Sequence, residues 1–308
     1  MTTALITHPA SLNHVMPHGH PEQVARYEAI MSALSAERFK ALNWREAQLC
    51  DEAEILRCHP EAYLERIKAA IPEAGLRALD ADTHVSPGSL EAALRAVGGI
   101  CEAVDAVVAG EVSNAFSVMR PPGHHAETST PMGFCLFGHV AIAAKRALDH
   151  HGMARVAVID FDVHHGNGTQ DLLWFEQRAL FASTHQMPLY PGTGALKEIG
   201  KGNIFNAPLS ANDGSDHFRE AFKSRILPAL ENQRPDLIII SAGFDAHHRD
   251  PLAEINLTAD DFDWATAKVM DIACRYNGNR VVSLLEGGYD LLGLAESAAS
   301  HVLRLMRG

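Results

Sequence analysis

The sequence has few of the features that mark a membrane, secreted or nucleic-acid-binding protein. Its longest apolar runs, such as Val156–Ile159 and Leu237–Ile240, are far shorter than the roughly 20 residues that a membrane-spanning helix needs. The first residues, MTTALITHPA, contain no basic stretch and no apolar core, so we expect no signal peptide. Lysine and arginine number 26 against 38 acidic residues, giving a net charge of −12. We therefore expect no membrane or nucleic-acid partner, while a cationic substrate stays possible.

Cysteine is also scarce, and its spacing argues against a disulfide framework. The five cysteines are odd in number and contain no CxxC pair, which favours reduced thiols and a cytoplasmic location. Histidine, in contrast, is abundant at 18 residues, many of them beside aspartate and glycine. Imidazole serves both as a metal ligand and as a proton carrier near neutral pH. The histidine clusters are therefore where we expect the chemistry.

Short β-branched runs alternate with helical patterns, and no repeat or linker divides the chain. The pattern predicts strands at Thr3–Thr7, Ala115–Met119, Arg155–Asp160, Leu180–Ser183, Leu237–Ala242 and Val281–Glu286. It predicts helices at Glu22–Leu34, Pro60–Ala70, Ser89–Ala109, Gly138–His150, His217–Glu231, Ala259–Tyr276 and Leu292–Arg307. This alternation is typical of an α/β protein with a mostly parallel sheet between two helical layers. We predict one three-layer α/β/α domain over residues 1–308.

Polar loops follow five of the predicted strands. In chain order these loops read RPPGHHA, DFDVHHGNG, THQ, GFDAHH and EGGYD. The carboxyl ends of parallel strands meet at one edge of a sheet, where ligands bind in open α/β folds. One such loop would mean little, but five at the same edge predict a convergent site.

The spacing of Asp160, Asp162 and His164 predicts a metal site at this edge. Period-two spacing in an extended segment puts the three side chains on one side. Two carboxylates at the end of a buried strand need a compensating cation or a hydrogen-bonded partner. Asp162 and His164 are candidate ligands, Asp245 is the best third ligand, and Asp160 is left as an acceptor behind them. Zinc, iron(II) or cobalt would suit this set, and a metal-free Asp–His cluster that caps strand ends is the alternative.

Two further groups belong to the same predicted edge. His124 and His125 are adjacent imidazoles, which suit a neutral base beside a second histidine held in a chosen protonation state. Asp160 and Asn167 are available to orient them. Tyr289 follows two glycines that allow the backbone to turn, so its phenol could donate to a developing oxyanion. The alternatives are a structural histidine pair and a tyrosine packed at a strand–helix turn.

The strings RPPGHHA, GFCLF, DFDVHHGNGTQ, SAGFDAHHRDPL and LEGGYDL resemble the histone deacetylase family, in its class II branch and bacterial relatives. The resemblance runs from about residue 20 to the C-terminus, and it implies the arginase/deacetylase fold and hydrolysis of an Nε-acyl-lysine-type amide. It implies Asp162, His164 and Asp245 as ligands of one zinc ion. It implies His125 as general base, His124 as a charged partner and Tyr289 as the carbonyl-polarising group.

The resemblance also implies a channel and monovalent cation sites. The implied substrate-binding residues are Asp82, Gly133, Phe134, Tyr190 and Leu252, with Arg26 behind the site. The segment His18–Pro21 is interpreted as a loop, with the base of the channel as the alternative. Potassium is expected against the backbone carbonyls of Asp160, Asp162, His164, Ser183 and Thr184.

Four functions follow from this resemblance as alternatives. The first is deacylation of an acyl-lysine peptide or protein, and its closest rival is hydrolysis of an acetylated small amine such as a polyamine. Leu252, after Asp250–Pro251, is apolar as in lysine deacetylases, which favours the first. An inactive acyl-lysine binding module is disfavoured by the full residue set. A two-metal ureohydrolase is disfavoured because Gly166 and His247 stand where it carries carboxylates. A homo-oligomer is possible.

Overall fold

An eight-stranded parallel sheet forms the middle layer of the protein in this computed structural model, which describes residues 1–308. Its strands in chain order are Thr3–Thr7 (β1), Asn43–Glu46 (β2), Asn114–Val118 (β5), Val156–Asp160 (β6), Ala179–Gln186 (β7), Ile204–Leu209 (β8), Leu237–Ala242 (β9) and Val281–Leu285 (β10). Between β2 and β5, a short antiparallel hairpin pairs Arg77–Ala78 (β3) with His84–Val85 (β4). The order in the large sheet is β2-β1-β5-β10-β9-β6-β7-β8.

Helices cover both faces of the sheet. They are Val24–Leu34 (α1), Glu52–Ile55 (α2), Glu61–Ala70 (α3), Ser89–Val108 (α4), His139–Asp149 (α5), Asn167–Leu173 (α6), Ser215–Ala221 (α7), Leu227–Gln233 (α8), Ala259–Tyr276 (α9) and Leu291–Arg307 (α10). None of them is both long and apolar enough to cross a membrane.

The continuous apolar run of β9 shows why the sheet is buried on both faces. Ile238 and Ile240 belong to one cluster of 41 buried residues, and Leu237 and Ile239 belong to a second cluster of 41. Since side chains alternate along a strand, each cluster lies on one face under its own helices. Burial on both faces leaves the strand ends as the place for polar chemistry.

The predicted α/β architecture with its parallel sheet is confirmed, and the differences have local causes. Both missed strands of the sheet, β2 and β8, are its edges, where one side lacks a partner and the apolar pattern is weak. The helix predicted over His217–Glu231 contains a π-helical turn at Phe222–Ile226 between α7 and α8. Pro228 in the first turn of α8 cannot donate to the preceding turn, and a wider turn accommodates its ring.

The strand order brings the chemically important loops together. β5, β10, β9 and β6 are consecutive neighbours in the middle of the sheet, although they are distant in sequence. Register aligns Asp160 at the end of β6 with Ser241 of β9 and with Ser183 of β7. The loops after these strands therefore open at one edge.

Candidate active site

Asp162, His164 and Asp245 meet at the carboxyl edge of the sheet. One ligand atom from each lies within 4.8 Å of the others, and all three residues are buried. His164 Nδ1 is 3.0 Å from Asp245 Oδ2 and 3.2 Å from Asp162 Oδ1. The triad forms because β6, which precedes Asp162 and His164, is the direct neighbour of β9, which precedes Asp245.

The backbone holds the two carboxylates in place and leaves no room for other side chains. Gly287 donates its N–H to Asp162 Oδ2 at 2.8 Å, and Val163 donates to Asp245 Oδ1 at 2.8 Å. A Cβ at Gly243 would lie 2.0 Å from Asp162 Oδ2, and one at Gly287 would lie 2.2 Å from Asp245 Oδ2. Glycine is required at both positions by this close approach.

The triad attracts positive charge. Burial alone would lower the pKa of His164, but hydrogen bonds and charges from Asp162 and Asp245 raise it to about 10. Two carboxylates and one imidazole are ligand types that suit a zinc or similar divalent ion, with room for one further ligand. The donor set and its burial fit such an ion.

The tandem histidines lie beside the triad with different partners. His124 Nδ1 is 3.0 Å from Asp160 Oδ2, and His125 Nδ1 is 2.8 Å from Asn167 Oδ1. The Asn167 amide donates to Glu127 Oε1 at 2.8 Å, which assigns its oxygen to the His125 side. His125 must then carry its proton on Nδ1, and this leaves a free electron pair on Nε2.

These partners shift the pKa values of the two imidazoles in opposite directions. Burial and the charge of His124 hold the pKa of His125 well below its usual value. Burial acts in the same direction on His124, but the charges of Asp162 and Asp160 outweigh it and raise the pKa of His124 well above its usual value. The rings lie 4.0 Å apart between centroids, so one charged imidazole disfavours charge on the other.

Glu286 fixes the loop that carries both histidines. Its Oε2 accepts the backbone N–H groups of Gly123 at 2.7 Å and His124 at 3.1 Å, and Ser241 Oγ donates to its Oε1 at 3.2 Å. Burial raises the pKa of Glu286 to about 7. The Glu286 carboxylate, at the C-terminal end of β10, thus connects the loop after β5 to strand β9.

Tyr289 is held from two sides. Asp250 accepts its backbone N–H at 2.7 Å and also accepts the N–H of Leu252 at 3.0 Å. The guanidinium carbon of Arg26 lies 4.9 Å from the phenol ring. Burial raises the pKa of the Tyr289 phenol well above its usual value, against the opposing charge of Arg26, so the phenol keeps its proton.

Arg26 belongs to a fully buried ionic cluster behind the site. It donates to the carbonyl of Gly288 at 2.6 Å and to Glu22 Oε1 at 2.9 Å. Arg120 donates to the same Glu22 carboxylate. Burial alone would raise the pKa of Glu22, but Arg120 and its other partners hold it well below its usual value. The cluster stiffens the Gly288–Tyr289 turn.

A cavity of about 390 Å³ leads to these groups from the surface. Its lining includes His125, His164 and Tyr289 together with Asp82, Gly133, Phe134, Tyr190, Leu252, His20 and Pro21. The rings of Phe134 and Tyr289 pack edge to face at 5.8 Å between centroids, and Tyr190 packs against His125 at 5.2 Å. Aromatic walls of this kind suit an aliphatic stem.

The Gly133–Phe134 turn is shaped by left-handed backbone. Gly133 has φ +54°, and Phe134 has φ +69°. A Cβ on Gly133 would lie 2.4 Å from His125 Cδ2. The glycine therefore lets the wall of the cavity approach the imidazole.

A model of the histone deacetylase domain matches residues 20–305. The chain belongs to the histone deacetylase family. It is 42% identical over 277 residues to the histone deacetylase-like amidohydrolase of Pseudomonas aeruginosa, covering 88% of this chain and 73% of that protein. It is 35% identical over 318 residues to a probable deacetylase of Archaeoglobus fulgidus, covering 100% of this chain and 87% of that protein. The solved structure of the HDA15 HD domain matches with a TM-score of 0.92 and 31% identity, covering 98% of this chain and 88% of that chain.

In this histone deacetylase family member, the structure brings together the candidate metal ligands, the residues of the histidine pair and the substrate-binding residues, while the potassium sites stay a prediction. The candidate ligands, the histidine pair with Asp160 and Asn167, and Tyr289 converge, and the five predicted substrate-binding residues line one cavity. His20 lies in a loop, as interpreted, and it also lines the cavity together with Pro21, in agreement with the alternative given for this segment. The sequence pattern does not indicate the roles of Glu286 and Asp250, because each acts through backbone N–H groups that no side-chain pattern reveals.

Proposed function

We propose that this protein is a zinc-dependent amidohydrolase that removes acyl groups, acetyl in particular, from Nε-acyl-lysine-type amides. One observation carries the proposal. A buried triad of Asp162, His164 and Asp245 meets, through His164, a cavity that is also lined by an imidazole with a free Nε2 and by a protonated phenol. One zinc ion per chain, held by this triad, would polarise the amide carbonyl and acidify water.

His125 is the general base in this proposal. Its Nε2 takes the proton of the water that attacks the amide carbon, because Asn167 occupies its Nδ1 as an acceptor. The same nitrogen then returns a proton to the leaving amine nitrogen as the carbon–nitrogen bond breaks. The products are a free amine and a carboxylate.

Tyr289 and His124 stabilise the charge that develops. The Tyr289 phenol donates to the oxygen of the tetrahedral intermediate, held in place by Asp250 and Arg26. His124 stays protonated between Asp160 and Asp162, whose oxygens lie 3.0 and 3.8 Å from its two ring nitrogens. Phe134 and Tyr190 hold the substrate stem, and Leu252 contributes an apolar wall.

Potassium is proposed as a structural ion against the carbonyls of Asp160, Asp162, His164, Ser183 and Thr184. The hydroxyl of Thr184 is buried without a hydrogen-bond partner, which supports an additional cation-binding oxygen there.

The five cysteines are all free thiols, in keeping with the proposed cytoplasmic location. A homo-oligomer is also proposed, and sedimentation of the purified chain tests it.

An acetylated polyamine is the second candidate substrate, since the cavity lining includes the carboxylate of Asp82 and the chain has a net charge of −12. Apolar Leu252 in the same lining favours the acyl-lysine peptide. The test is a turnover panel of acetyl-lysine peptides and acetylated polyamines on enzyme of known zinc content, with and without chelator. Higher kcat/KM for peptides supports the proposal, and chelator-resistant turnover or no turnover of either class refutes it.

A further inference from the structure

A second groove lies beside the cavity. It has a volume of about 530 Å³ and lies between α3, the β3–β4 hairpin and the loop before Gly133. Two chain segments connect it to the cavity. Asp80 lines the groove while Ala81 and Asp82 line the cavity, and Pro131 lines the groove while Gly133 lines the cavity. The groove and the cavity therefore adjoin along these two segments.

Two arginines give the groove a positive charge in an otherwise acidic protein. Arg66 on α3 and Arg77 on β3 are both exposed and both line it. Neither guanidinium is paired with a carboxylate; Arg66 donates to the carbonyl of Ser129, and Arg77 donates to the carbonyl of Ala69 at 3.2 Å. These bonds hold both guanidinium groups against the groove walls and leave other N–H donors free.

The groove also contains one carboxylate, which bears on what can bind. Asp80 Oδ1 accepts the backbone N–H groups of Asp82 at 3.0 Å and Thr83 at 2.6 Å, so it is committed to shaping the rim. Its charge disfavours an anion at the near end of the groove. The free N–H donors of Arg66 and Arg77 favour an anion farther along the groove, away from Asp80.

We propose that this groove is a subsite for a carboxylate-bearing side chain of the peptide that flanks the acyl-lysine, and this inference rests on the proposed function. Asp80 and Asp82 are two positions apart in the chain, a span of at most about 7 Å, and an extended peptide covers the same distance in two residues. The backbone of a residue about two positions from the acyl-lysine would therefore reach the near end of the groove, and an aspartate or glutamate side chain there would extend past Asp80 towards Arg66 and Arg77. Such a preference selects acidic peptides and disfavours polyamines.

The test compares acetyl-lysine peptides that carry Asp, Ala or Lys two positions before or after the modified residue. For the wild type we expect kcat/KM about 1.5- to fivefold higher with Asp than with Ala on one side, the range set by exposed ion pairs. The preference for the Asp peptide should disappear in the double variant Arg66→Gln/Arg77→Gln. In Arg77→Glu, kcat/KM should become higher for the Lys peptide than for the Asp peptide. Arg38→Gln, an exposed arginine outside the groove, should keep it.

Salt provides an independent control, because screening should reduce the preference while leaving turnover of the Ala peptide less affected. An equal kcat/KM for all three peptides in the wild type, or an undiminished Asp preference in the double variant, would overturn the subsite. Fluorescence anisotropy of the labelled peptides reads the same preference without turnover. A chain that binds but cleaves none of the peptides would refute the proposed hydrolase, and the binding preference would still decide the subsite.

Discussion

Replacing Asp250 with alanine tests whether the position of the Tyr289 phenol depends on a buried carboxylate. Asp250 accepts three backbone N–H groups, those of Tyr289 at 2.7 Å, Leu252 at 3.0 Å and Asp290 at 3.3 Å. Leaving the buried Tyr289 N–H without an acceptor costs about 1–3 kcal/mol. If the backbone moves to relieve that cost, the phenol loses part of an oxyanion interaction that is worth about 10²–10³ in turnover.

For Asp250→Ala we therefore expect kcat to fall about 10- to 100-fold, with a smaller change in KM. The assay is steady-state turnover of an acetyl-lysine peptide, with urea unfolding to measure the free energy of unfolding. Because both changes act through one group, Asp250→Ala/Tyr289→Phe should have nearly the kcat of Tyr289→Phe alone. Wild-type kcat in the single variant, or multiplicative losses in the double variant, would refute this coupling. Asp250→Asn keeps one acceptor oxygen, and its kcat should lie between the values of the wild type and Asp250→Ala.

Three further results follow from the same contacts. Tyr289→Phe should lower kcat about 10²–10³-fold in the peptide assay, and unchanged turnover would remove the phenol from the mechanism. Gly133→Ala should cost about 1–3 kcal/mol in urea unfolding and reduce turnover, because its Cβ meets His125 and its φ is +54°; a stable, fully active variant would contradict the close contact. Burial lowers the pKa of His301 to about 3, so only the unfolded chain takes up its proton between about pH 6.5 and 3. The contribution of this residue to the free energy of unfolding should then fall by about 1.4 kcal/mol for each pH unit below about 6.5. The variant His301→Gln should show a smaller pH dependence. The same pH dependence in the wild type and the variant would mean that His301 is charged in the folded protein.

Much of the site could be predicted because its members follow buried strands. Asp162 and His164 follow the end of β6 within four residues, and Asp245 follows the continuous apolar run of β9. A parallel sheet brings such ends together, so sequence spacing and the edge rule suffice for the triad. The resemblance added the channel residues, whose positions depend on loops that periodicity does not describe.

What could not be predicted depends on contacts with the backbone. Glu286 and Asp250 accept N–H groups from residues far away in sequence, and nothing in their neighbours indicates a buried acceptor. The sequence pattern does not predict the strands β2 and β8, because an edge strand needs no continuous apolar run. The start of α6 at Asn167 lies inside a histidine-rich segment that favours a loop interpretation. In each case tertiary contacts outweigh the local pattern.

The central claim is that Asp162, His164 and Asp245 together hold one divalent ion. Metal analysis of the purified chain by mass spectrometry, for the wild type and for Asp245→Ala, tests it most directly, with circular dichroism to confirm that the variant is folded. We expect about one zinc ion per wild-type chain and a loss of at least about tenfold in the folded variant, by the loss of one of three protein ligands. A wild-type chain that binds no divalent ion, or a variant that retains the full amount, would contradict the claim.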